Sequence, residues 1–341
     1  MNKKTIIATA IIVILAVMGY LLYQVAIEEF ENRSAAPYPL AEVQIEDAIS
    51  PAPSQTMTTP TTKINVSPEF NIEPPVHSRL PMYEFSPSKG FTDEFANGLP
   101  EKLGLNTLSN RQDPILGKTI ITSRDTKNLI VYIEKGEFTY TDSAPQTVIG
   151  SYDLSSDSQL EIFKSRAEKF ISSLNLENTA FQYKSHVFVV AKTEHVEITE
   201  QLRSANMVQL SYESVVKSLP VIDKDSSLVP NTITVWLNGK GDIAKVRYQA
   251  AGTIGKSFGN YELLDENEIK KDLQTANTKA KLVNGDYPIG EPIESVNITS
   301  AHIAYLSVEN YLVPVYILEA NVRTAGNHFG TGYLLLEAIK K

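Results

Sequence analysis

The sequence contains no cysteine. That removes disulfides, zinc–thiolate sites, iron–sulfur clusters, thiol nucleophiles and lipoprotein acylation together. The folded part must therefore be stabilised by its core alone. Basic residues are in deficit too: 31 Lys and Arg stand against 40 Asp and Glu, a net charge of −9. Nucleic-acid binding needs a basic surface that displaces phosphate counterions, so nucleic acid is not an expected partner. The same charge opposes electrostatic docking of the body of the protein on anionic lipid. What remains is ordinary globular material, 42% hydrophobic and 21% charged over 341 residues, enough for one large or two ordinary domains.

One long apolar run is present. Residues Thr5 to Ile27 carry no charged side chain, and roughly 20 apolar residues in a helix cross a hydrocarbon core of ~30 Å. Lys3 and Lys4 precede the run, while Glu28, Glu29 and Glu31 follow it. The positive-inside rule then places the N-terminus in the cytoplasm and the rest outside a prokaryotic-type cytoplasmic membrane. Tyr20 and Tyr23 fall near the outer interface. A cleaved signal peptide has a shorter apolar core of ~7–15 residues and a small-residue cleavage site. Here Ser34-Ala35-Ala36 lies well past the run and is followed by Pro37. The expectation is a retained signal anchor over residues 1–30, with the bilayer as a partner through residues 5–27.

Over residues 31–80 prolines recur around the Thr/Ser-rich core Ser54 to Thr62. Such composition favours extended polyproline II and predicts a disordered, semi-rigid stalk that holds the domain off the bilayer. Asn32-Arg33-Ser34, Asn65-Val66-Ser67 and Asn297-Ile298-Thr299 match the glycosylation sequon; in a bacterial chain these are chance matches.

The remainder reads as three stretches, each a helix followed by strands, grouped as a first region over 81–255 and a second module over 256–341. Thr92 to Leu105 has helical spacing, weakened by Gly98 and Pro100. Asn128 to Ile133, a turn at Glu134 to Glu137, and Phe138 to Tyr140 read as a hairpin. Leu160, Phe163, Ala167, Phe170, Ile171 and Leu174 form one apolar helix face, with Ser158 and Glu161 as a capping box. Strands follow at 184–191, 207–216, 232–237 and 243–250, the last two joined through Asn238-Gly239. Ile233, Val235 and Leu237 then share a buried face, and Trp236 points the other way. The third stretch opens with a box at Asp265 and Glu268, with Ile269 and Leu273 inward. Strands follow near 295–306, 311–318 and 332–336. Pro314 cannot donate to a ladder, which predicts an edge strand or a bulge. The class expected is α+β, built from repeated helix-plus-antiparallel-sheet modules.

The run Tyr261 to Ile269, followed by Asn284-Gly285, Ile303-Ala304-Tyr305 and Tyr311 to Tyr316, resembles the C-terminal module of the YycH/YycI proteins, which contain PepSY-like modules. The resemblance covers the anchor and roughly residues 150–340. It implies a signal anchor, two extracytoplasmic modules and a regulatory interaction with a sensor kinase, and it brings no catalytic residues. The long Pro/Thr stretch departs from the family pattern.

Several motifs invite a chemical reading. Ala250 to Ser257, with Gly255-Lys256-Ser257 at its end, fits a relaxed phosphate loop, but Phe258-Gly259-Asn260 does not continue as the helix such a loop needs. A flexible connection between modules is the simpler expectation. Ser86-Pro87-Ser88-Lys89 matches the Ser-x-x-Lys of penicillin-binding enzymes, yet Pro87 interrupts it and no Lys-Thr-Gly occurs. Among His77, His186, His195, His302 and His328, only Glu194 to Glu197 clusters metal-ligand types, without zincin spacing. Asp223-Lys224-Asp225 lacks the rest of a calcium loop. Asp93-Glu94 and Asp265-Glu266 suit helix N-termini. Trp236 is either a ligand platform or, more simply, covered by a packed helix. No catalytic, cofactor-binding or metal-ligating residue is therefore nominated, and no cofactor. The expected function is a non-enzymatic extracytoplasmic interaction or regulatory module with a membrane or envelope protein as partner. The alternatives are an envelope hydrolase or peptidase with a site assembled from distant residues, and a cell-surface spacer.

Overall fold

The computed structural model describes residues 58–340, apart from 106–108, 114–116, 144–156, 177–179, 192–195, 200–204, 223–231, 251, 276–279 and 289. The expected anchor and the stalk up to residue 57 lie outside the described residues. Among the described residues no helix is long and apolar enough to cross a membrane.

The elements run β1 (Thr58–Ile72), β2 (Arg79–Pro87), α1 (Asp93–Lys102), β3 (Ser109–Asp113), β4 (Gly117–Arg124), β5 (Lys127–Tyr132) and β6 (Glu137–Asp142). Then come α2 (Asp157–Ser173), β7 (Ala180–Ala191), β8 (Val196–Ile198), β9 (Met207–Val216), β10 (Leu219–Ile222), β11 (Thr232–Asn238) and β12 (Ile243–Gln249). The chain ends with β13 (Gly252–Glu262), α3 (Glu266–Leu273), β14 (Lys281–Gly285), β15 (Ile293–Val308), β16 (Tyr311–Thr324) and β17 (Phe329–Glu337).

The expected α+β class is overturned. Strand dominates the described residues, and the helices are three, of 10, 17 and 8 residues. The reason lies in where the apolar residues go. Strands such as β15 and β16 are buried along most of their length, so sheet packs where helices were expected to carry more of the core. The helix-then-strands units also do not stay separate. The strands after α1 and those after α2 merge into one antiparallel sheet, ordered β3-β4-β5-β6-β12-β11-β9-β7-β8.

Both α1 and α2 cover one face of that sheet. Ala96 and Leu99 of α1, and Phe163 and Ala167 of α2, join one core with Leu129, Phe138, Ile233, Val235 and Leu237. The spacing read from the sequence for α2 holds: Phe163 and Leu174 are buried, and Leu160 and Phe170 pack at the margin of the same core. Ser158 falls inside α2, not at its cap. The Lys102 ammonium donates to the Leu174 carbonyl at 2.9 Å, tying the ends of α1 and α2 together.

The second sheet centres on the long β15–β16 hairpin. β1 and then β10 run parallel to β15 along its outer edge, while β17 and β2 share the far side of β16. β14 adds to β17 and β13 to β2. β10 also forms a tight hairpin with β9 and so links the two sheets.

Two local expectations change here. The stretch 58–72, read as stalk, is strand β1, and Phe70 enters the core with Ile64, Val66 and Ile72 packed against it. Prolines are tolerated there because β1 has irregular register on β15, with a break between Val66 and Asn71 that contains Pro68. Pro314 sits in a central strand, not at an edge. It lies where the neighbour of β16 changes from β2, paired at 311–312, to β17, paired from 315 onward. Its carbonyl accepts the Ala338 amide at 3.2 Å. The missing N–H thus falls at the end of a ladder and costs little pairing.

Candidate functional site

A cleft of about 340 Å³ opens where the two sheets meet. It is lined by the end of β2 with the loop running into α1 and Phe95 in the first turn of that helix, by Leu176 after α2, by Tyr248 of β12 with Ala250 after it, and by Gly252 and Thr253 at the start of β13. The turn between β5 and β6 packs behind the loop and Ala250. Gly90 and Gly136 allow these segments to touch. Gly90 has φ +93° and lies so close to the Ile133 carbonyl that a Cβ would collide with it. The Phe91 amide donates to that carbonyl at 2.8 Å. Gly136 closes the β5–β6 turn with φ +65°, and its carbonyl accepts the Ala250 amide at 2.8 Å. Left-handed backbone of this kind favours glycine.

The wall is aromatic. Phe91 lies nearly parallel to Tyr248, at 14° and 6.0 Å between centroids, and Phe95 tilts against Phe91 at 4.9 Å. Leu176 completes the apolar side. The rim is polar, with Ser86, Ser88, Lys89, Thr92 and Thr253. Thr92 caps α1, its hydroxyl accepting the Phe95 amide at 3.2 Å. Ser88 accepts the Gly90 amide at 3.2 Å. Ser86 and Thr253 are register partners across β2 and β13.

The Ser86–Lys89 and Ala250–Ser257 motifs thus border one cleft, although neither has the geometry its pattern suggests. Ser86 is the penultimate residue of strand β2 and Lys89 lies in the following loop. They are not one turn apart on a helix, as a Ser-x-x-Lys nucleophile requires. Gly255, Lys256 and Ser257 lie within strand β13, antiparallel to β2. The flexible connection expected there is a strand. Successive amides of a strand point to opposite edges and do not converge on one anion, so the phosphate-loop reading has no structural basis.

The other singled-out residues are scattered. Asp93 and Glu94 occupy the first turn of α1, and Asp93 pairs with Lys118 at 2.6 Å. Asp265 and Glu268 form the reciprocal capping box of α3. Trp236 lies on the sheet face away from α1 and α2. Among the described residues no helix covers it; Val187, Val189, Met207 and Ala244 surround it, and the Lys245 ammonium lies 4.9 Å from the ring centroid. His195 and the 223–225 acidic stretch lie outside the described residues. Among the described residues no group of three His, Asp or Glu side chains is placed to hold a metal.

A second polar cluster had no signal in the sequence. Between α2 and β7 the Tyr183 hydroxyl meets His186 Nδ1 at 2.7 Å, and the Lys164 ammonium lies 4.0 Å over the Tyr183 ring. Burial, and then the Lys164 charge, push the His186 pKa down, so the imidazole is neutral at neutral pH. Lys164 is itself paired with Glu161 at 2.7 Å. These contacts fasten α2 to the sheet, which is a packing role.

No protein-family model and no curated protein matches the sequence. Among solved structures, the chain is similar to the crystal structure of YycH from Bacillus subtilis, at 16% identity and a TM-score of 0.38. The similarity covers 72% of this chain and 52% of the other, so this chain spans about half the length of that structure.

Proposed function

We propose that this chain is a membrane-anchored, extracytoplasmic binding module that acts on a membrane or envelope protein without catalysing a reaction. The observation that supports the reading is the make-up of the cleft. An aromatic wall and a rim of hydroxyls around one ammonium are the residue types of a recognition surface. They are set between two sheets joined there by backbone hydrogen bonds beside Gly90 and at Gly136. The uncharged run at residues 5–27, with Lys3 and Lys4 before it, supports the anchor and its orientation.

Two measurements on the full chain test this. A reporter enzyme active only outside the cytoplasm, fused after Lys341, is expected to be active. A photo-crosslinking residue at Ser86, on the cleft rim, is expected to give adducts with a membrane or envelope protein that the same residue at Lys169, on the far side of α2, does not. A reporter active only in the cytoplasm, or identical adducts from both positions, overturns the proposal.

A further inference from the structure

We infer that the cleft binds a small anionic amphiphile, with an aromatic or compact apolar body against Phe91 and Phe95 and a single carboxylate at Lys89. This inference rests on the reading of the cleft as a binding surface and concerns a small ligand in addition to the protein partner proposed above.

Size comes first. About 340 Å³ lies at the lower end of small-ligand pockets, which span roughly 300–1,000 Å³. That fits one ring with a short substituent and not an extended polymer. Shape comes second. Tyr248 is buried, whereas Phe91 and Phe95 remain partly open. The open parts of two mutually packed rings offer apolar area that a ligand ring would remove from water.

Charge decides the other end. Lys89 is the charged side chain of the lining, and it makes no ion pair or hydrogen bond among the described residues. The acidic residues on the neighbouring turn of α1 do not neutralise it. Asp93 is held by Lys118 at 2.6 Å, and Glu94 is not part of the lining. A cation on the rim of an apolar wall favours an anion, because hydrogen bonds between ionised partners are stronger than neutral ones. One ammonium balances one negative charge, which suits a carboxylate better than a doubly charged phosphate. The hydroxyls of Ser86 and Thr253, across the β2–β13 pair, are donors for the remaining carboxylate lone pairs.

The test uses the full chain in detergent micelles, with empty micelles subtracted, and two probes of nearly the same shape, N-acetyl-phenylalanine and its C-terminal amide, in which an uncharged NH2 donor replaces one carboxylate oxygen. Ligand-observed NMR reads saturable binding. The acid is expected to bind saturably, and the amide about tenfold more weakly, as loss of a charged hydrogen bond predicts. Lys89→Gln is expected to bring the acid down to the amide, and Lys89→Arg to restore most of the difference. Because Lys89 is exposed, neither variant threatens folding, and thermal melting checks this. Equal binding of acid and amide, or an acid unaffected by Lys89→Gln, overturns the anionic class while leaving the cleft as a binding surface. Absence of saturable binding by either probe overturns the small-ligand inference. The Ser86 crosslinking result then stands or falls separately.

Discussion

The Tyr305 hydroxyl donates to the Pro81 carbonyl at 3.0 Å, joining residues 224 positions apart. It ties the C-terminal part of β15 to β2, the strand that leads into the cleft. The ring is fully buried and meets Tyr83 edge-on at 5.6 Å. Burial, and then the Tyr83 phenol, push its pKa far above the ordinary tyrosine range, so the group is a neutral donor at any working pH. Tyr305→Phe keeps the packing and leaves the buried Pro81 carbonyl without its partner. The expected loss is ~1–3 kcal/mol, read from urea unfolding with an unchanged slope. A variant as stable as the parent would mean that water replaces the hydroxyl.

Much of the local structure could be read from the sequence where periodicity was long and unbroken. The α2 face, the β5–β6 hairpin and the β11–β12 pair follow directly from residue spacing, as does the α3 capping box. The failures share a cause. β1 and β13 are strands without strict alternation, with Pro or Gly inside them, and their pairing partners lie far along the chain. Nothing local distinguishes Lys63 to Ile72 from a stalk until β15 is beside it. The cleft was illegible for the same reason. Ser86 and Thr253 become neighbours only through a pairing that spans much of the chain, and neither local motif contains any signal of the other.

The strand assignment of residues 58–72 makes a proteolytic prediction. Phe70 is buried, and the Lys270 ammonium of α3 lies 5.5 Å from the centroid of its ring. Limited proteolysis of the purified chain is therefore expected to leave a resistant fragment that begins at or before Thr58. Mass spectrometry finding a fragment that starts near Leu80 would show that β1 is not stably paired to β15.

Glu268 gives a pH prediction. A hydrogen bond from the Lys340 ammonium, first, and then the Asp265 backbone amide hold its carboxyl below the ordinary value of 4.5. The Lys340 contact is 2.6 Å and closes the chain end onto α3. A carboxyl depressed in the folded state binds its proton more readily when unfolded. Its stabilising contribution is complete above the unfolded pKa and is lost as pH falls through the lower, folded value. Melting temperature followed from about pH 6 down to about pH 3 should fall less steeply for Glu268→Gln than for the parent. Parallel profiles would mean that the ion pair does not persist in solution.

The helix over the first sheet is tested by a pair of substitutions on α2. Phe163 is almost fully buried and packs in the core that contains Ile233, Val235 and Leu237, whereas Lys169 is exposed on the other side of the same helix. Removing a buried Phe side chain costs ~3–5 kcal/mol, because transfer energy is lost and a cavity remains. That is a large share of the ~5–15 kcal/mol that holds a typical domain folded. Phe163→Ala should lower the melting temperature sharply, and Phe170→Ala by less, since Phe170 lies at the margin of that core. Lys169→Ala should stay within ~0.5 kcal/mol of the parent. The ordering of all three matters. Equal losses at positions 163 and 169 would mean that α2 does not present this face to the sheet. Leu174, whose carbonyl receives Lys102, would then not hold α1 where it forms the edge of the cleft.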